Sequence, residues 1–156
     1  DLTTAENLKL PEYIEGSLCL DYLVNARGLK LPKYIGKSLT LDRLTSIEGL
    51  ELPERVNGSL WLRGLTNAQG LVFPKHIERD LNLSGLTTSK GLILPKYVGG
   101  NLILSKLRSI RTVVLPEYVG GEIRYKGVDY TLEKLKKIQQ EENQKIKASS
   151  EKRARK

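Results

Sequence analysis

The sequence predicts a β-rich repeat solenoid, a parallel β-solenoid with short proline-led turns and a capping α-helix at its C-terminal end. Three observations predict it. The six prolines stand at Pro11, Pro32, Pro53, Pro74, Pro95 and Pro116, so every interval is 21 residues. A fixed period of roughly 20 to 50 residues marks a solenoid. Each repeat carries an apolar-x-apolar triplet twice, as in Leu60-Trp61-Leu62 and Leu71-Val72-Phe73. That alternation turns two side chains inward and the middle one outward. After Val128 the period stops, and Leu132, Leu135 and Ile138 recur at helical spacing.

The expected boundaries follow. Residues 1–128 form the solenoid, as a half repeat over 1–10 and repeats starting at 11, 32, 53, 74, 95 and 116. Residues 129–156 form the helix and a basic tail. The chain opens at Asp1 in mid-repeat, which is expected of a domain cut from a longer protein or of a processed chain.

Within a repeat, with proline as the first position, six columns are apolar: the fourth (Ile14 to Val119), eighth (Leu18 to Ile123), tenth (Leu20 to Tyr125), thirteenth (Leu23 to Val128), nineteenth (Leu8 to Val113) and twenty-first (Leu10 to Leu115). Two short strands per repeat are expected, at positions 8–10 and 19–21. Neither is long enough to fold alone, but stacked at about 4.8 Å they build parallel sheets over continuous leucine ladders. Each inward Leu or Ile contributes roughly 1.5–3 kcal/mol of burial. Proline presets φ for a short helical or 3₁₀ turn. The pairs Gly16-Ser17, Gly58-Ser59, Gly99-Gly100 and Gly120-Gly121 allow the bend into the first strand. Gly28, Gly49, Gly70 and Gly91 read as corners with positive φ, with Asn7 and Thr112 replacing glycine at the ends, where less regular rungs are expected. Thr-Ser or Thr-Asn between the strands offers side chains to cap exposed backbone. The predicted helix begins at Leu132, with Thr131 as N-cap and Glu133 in its first turn, and reaches the mid-140s. Its first two turns would cover the open end of the ladder, and the polar remainder is expected to fray.

The segment Leu-Pro-x-x-Ile-x-x-Ser-Leu-x-Leu-x-x-Leu resembles a short leucine-rich repeat over residues 2–128. In that superfamily a Leu-x-Leu strand lines the concave face and a turn lies on the convex side, so the resemblance implies a protein-binding module. Two departures stand beside it. Leu23, Leu44, Leu65, Leu86 and Leu107 replace the Asn or Cys that usually ends the strand motif, and the second Leu-x-Leu is unusually regular. A flat two-sheet β-solenoid is therefore the alternative to an open horseshoe.

Composition narrows the function. The lone Cys19 excludes an internal disulfide framework and a cysteine-rich metal site, and a reducing, intracellular, cytoplasmic setting is expected. No apolar run approaches the roughly 20 residues of a membrane-spanning helix. Catalysis has little to build on. The one histidine, His76, occupies a column otherwise held by Tyr13, Tyr34, Arg55, Tyr97 and Tyr118, and no phosphate loop or metal-ligand spacing occurs. No enzyme activity, cofactor or metal is expected.

Partner binding is expected instead, on two columns at the outward positions of the first strand: Cys19, Thr40, Trp61, Asn82, Ile103, Arg124, and Asp21, Asp42, Arg63, Ser84, Ser105, Lys126. They vary while the core columns barely do, and Trp and Arg are enriched at binding hot spots. Along the stack they run from acidic to basic. The column Lys9, Lys30, Glu51, Val72, Ile93, Val114 ends in an apolar patch that the tail helix or a second copy of the chain could cover. The net charge is +8, and residues 127–156 hold nine Lys/Arg against five Asp/Glu. Lys145, Lys147, Lys152, Arg153, Arg155 and Lys156 are the candidates for contact with a nucleic acid or ribonucleoprotein, the second reading of function.

Overall fold

The structure, a computed structural model, describes residue 5 and residues 8–155; most of the half repeat and Lys156 lie outside the described residues. The chain winds as a parallel β-solenoid of about five turns, ending in one helix. Two parallel sheets run its length. One has six strands: β1 (Tyr13–Ile14), β3 (Tyr34–Ile35), β5 (Arg55–Val56), β7 (His76–Ile77), β9 (Tyr97–Val98) and β11 (Tyr118–Val119). The other holds β2 (Leu18–Cys19), β4 (Leu39–Thr40), β6 (Leu60–Trp61), β8 (Leu81–Asn82), β10 (Leu102–Leu104) and β12 (Ile123–Tyr125), with β13 (Val128–Tyr130) added at its end. Register is set by the repeat: Leu39 pairs with Leu60, Leu60 with Leu81, and Ile35 with Val56.

The core is the set of inward columns. From Leu39 through Leu41, Leu44, Leu60, Leu62 and Leu65 to Leu104 and Leu107, side chains are fully buried. A seventh inward column, not visible as a leucine pattern, runs through Ala5, Ala26, Ala68 and Ile110 at the sixteenth position. The chain turns there: the Leu29 N–H donates to the Ala26 carbonyl, and the same bond recurs at Leu50, Leu71, Leu92 and Val113. The corners Gly28, Gly49, Gly70 and Gly91 have φ of 75°, 76°, 86° and 64°, as the sequence predicts. Asn25, Ser46, Asn67, Thr88 and Ser109 each accept from the backbone N–H two residues on, which is the expected capping.

Two local expectations are corrected. The residues after each proline form no helical turn; Tyr13–Ile14 and its equivalents are strands. The segment at positions 19–21 is not a strand, apart from one bridge between Ile93 and Val114. Its first N–H is spent on the turn, as Leu29 donates to the Ala26 carbonyl, and a proline without an N–H follows, so few donors are left for a ladder. Only Leu92, Val114 and Leu94 exchange bonds there. The two sheets are thus the proline-led edge and the first Leu-x-Leu.

The last rung ends differently from its pattern. Lys126 (φ 51°) and Gly127 (φ 78°) make a two-residue turn, and β13 returns antiparallel on β12 with Tyr125 opposite Val128. Two positive φ values in a row match the right-handed twist of a hairpin. Val128 consequently leaves its expected core column and is exposed. The helix α1 (Leu132–Ala154) follows, with Thr131 accepting from the Lys134 N–H at 3.3 Å. Leu135 is fully buried, and Leu132 and Ile138 pack on the core beside it. The helix continues to Ala154 rather than fraying in the mid-140s.

Candidate functional site

The outward face of the seven-stranded sheet carries the first predicted column in register: Cys19, Thr40, Trp61, Asn82, Ile103 and Arg124 sit on adjacent strands. Trp61 and Ile103 are partly buried, while Asn82 is buried and accepts from the Ser84 N–H. The Cys19 thiol is exposed and donates to Asp21 at 3.2 Å.

The second column, Asp21, Asp42, Arg63, Ser84, Ser105 and Lys126, lies on the turn after the strand rather than on the strand. Its acidic members work on backbone. Asp21 accepts from the Asp42 N–H, and Asp42 accepts from the Arg63 N–H, both at 3.0 Å. Asp42 also takes the Arg63 guanidinium, Nε at 2.8 Å and Nη2 at 2.6 Å from Oδ2. That bond, against the cost of partial burial, holds Arg63 above its ordinary value. The guanidinium lies 5.1 Å from the Trp61 ring centroid, within cation–π range. Trp61, Arg63 and Asp42 therefore form one pre-oriented cluster in mid-sheet. Of the charged members of the two columns, Asp42 and Arg63 pair with each other. At the other end Arg124 bonds Asp129 twice at 2.8 Å, and Lys126 lies 3.7 Å from Glu142.

Two further features lie on other sides of the rung. His76, Tyr97 and Tyr118 stack as a ladder, with centroids 5.1 Å and 4.8 Å apart. The signal was present as an aromatic column, but it reads as turn packing until the strand is placed there. Beside it, Val72, Ile93 and Val114 are 80%, 61% and 54% exposed, so α1 does not cover them. A groove of about 770 Å³ runs past Glu51, Pro53, Arg55, Val72, Phe73 and His76.

The basic candidates Lys145, Lys147, Lys152, Arg153 and Arg155 all lie at the far end of α1 and are exposed; Lys156 is outside the described residues. Among the described residues no group of three or more His, Cys, Asp or Glu is placed to hold a metal ion, and no helix is long and apolar enough to cross a membrane. Comparison with known proteins returns no family model, no curated protein and no solved structure that matches the chain.

Proposed function

We propose that this protein is a non-enzymatic binding scaffold of a reducing compartment, which presents the outer face of its seven-stranded sheet to a protein partner. The observation that carries this is the Trp61–Arg63–Asp42 cluster. A large aromatic side chain stands on the outer face of a rigid sheet, with a cation fixed over it by a carboxylate. Such a group needs little further ordering on binding, and pre-ordered aromatic and arginine side chains supply most of the energy of protein interfaces. The resemblance to leucine-rich repeats, whose strand face is the binding face, supports the same reading.

The test uses Trp61→Thr, which copies Thr40 one rung earlier and places a strand-favouring β-branched side chain there. Arg63 is left alone because Asp42 depends on it. A photo-crosslinker carried at Ile103, in intact cells, is expected to trap a defined protein with the parent chain and to lose it with Trp61→Thr. Melting temperature should stay unchanged. Equal trapping by both would remove the Trp61 face from consideration.

A further inference from the structure

We propose that the distal part of α1 is a free-standing basic arm that binds the phosphate backbone of double-stranded DNA, a function separate from the sheet face. The last contacts between the helix and the solenoid are made by Glu142, whose carboxylate accepts from Ser109 and Tyr125. From Asn143 to Arg155 every residue is exposed, yet the helix runs on to Ala154. That stretch carries five cations against the single acid Glu151. None of the ion pairs among the described residues involves any of those cations.

The cations are also arranged. At 3.6 residues per turn, Lys134, Lys137, Lys145, Lys152 and Arg155 fall within about 80° of one another around the axis. They form one stripe about 31 Å long, interrupted by Glu141 and Ala148, and close to one turn of B-DNA, about 34 Å. A continuous helix with charges along one side matches a rigid duplex, whose major groove admits an α-helix, whereas the narrow major groove of A-form RNA does not.

The same residues argue against other polyanions. Residues 131–156 contain no aromatic side chain, and single-strand binders rely on aromatic rings that stack with bases. Beyond Ile138 the only large apolar residue is Ile146, so the arm lacks the apolar face by which a helix lies in a membrane surface. The stripe holds four lysines and one arginine and neither Asn nor Gln, so contacts mainly to phosphate are expected, independent of sequence and releasing counterions.

The experiment is fluorescence anisotropy of a labelled mixed-sequence DNA duplex, titrated with the full chain at rising salt. Five phosphate contacts would give a slope of log K against log salt no steeper than about −4.5. The triple reversal Lys145→Glu, Lys152→Glu, Arg155→Glu is expected to flatten that slope by about 2.7, roughly 0.9 per lost contact. It should also weaken low-salt binding at least about tenfold. A matched reversal of Lys30, Lys37 and Lys75, exposed on earlier rungs, changes net charge equally and should leave the slope unchanged. Equal loss in both variants would show diffuse attraction and overturn the proposal. So would absence of duplex binding at low salt, tighter binding to single strands than to duplex, or binding to phosphatidylserine vesicles in place of DNA.

Discussion

Glu142 joins the helix to the last rung. Burial alone would push its carboxyl up, but bonds from Ser109 and Tyr125, the Lys126 ammonium and the Ile110 backbone outweigh burial and hold it below the usual carboxylate range. A group depressed in the folded state stabilises fully above its unfolded value, about pH 4.3, and loses that contribution as pH falls through its folded value. The melting-temperature difference between the parent chain and Glu142→Gln should therefore be largest near neutral pH and shrink in acid; a pH series of thermal melts checks it. Gly99 shows a different constraint. A Cβ there would collide with the Glu78 carbonyl of the rung below, while one at Gly16, on the first full rung, meets nothing within 4 Å. Gly99→Ala is expected to cost about 1–3 kcal/mol in urea unfolding and Gly16→Ala far less. Both glycines are legible in the sequence as turn residues. The positive φ of the Gly28 column was legible too, but only the stacked backbone shows that Gly99 is required for room.

At the scale of elements, the rungs are joined by more than leucines. The seventh position of each repeat carries a polar ladder: Ser17 accepts from the Ser38 N–H, Ser38 from Ser59, Ser59 from Asp80, Asp80 from Asn101, and Asn101 from Glu122. Ser59 is buried. Replacing it with Ala removes the acceptor of the Asp80 N–H and should cost about 1–2 kcal/mol in denaturant titration. At the sealed end Gln139 donates to the carbonyls of Ile110 at 2.6 Å and Val113 at 2.8 Å. Gln139→Leu keeps the volume but leaves both acceptors without that donor, so a comparable loss is expected, read by the same titration. The helix cap, its N-cap and its apolar contacts were legible because they rest on local spacing. The second sheet was not. A Leu-x-Leu pattern reports which side chains face inward, and positions 19 and 21 do face inward, but pairing also needs free N–H groups, and the turn takes the one at position 19. The two-residue step of the proline-led edge, Tyr13–Ile14 and its equivalents, pairs in parallel from rung to rung and carries only half the apolar signal.

For the whole molecule, identical register makes stability close to a sum over rungs and their interfaces. Removing residues 53–73, one full period, should leave a folded solenoid with the same far-UV spectrum and a lower urea midpoint. Hydrogen exchange should be slowest at the middle rungs, where Leu60, Leu62, Leu81 and Leu83 are fully buried, and fastest along the outer half of α1. Unfolding of the shortened chain altogether would show that the rungs are not interchangeable. The antiparallel return of β13 on β12 has a further consequence. Once the strand direction flips, another parallel coil cannot be appended beyond it, and everything specialised for termination sits after that point. Unequal recombination within the gene could add or drop 21-residue units upstream without inventing a new contact. Each unit added would carry the terminal hairpin and its helix about 4.8 Å along the axis.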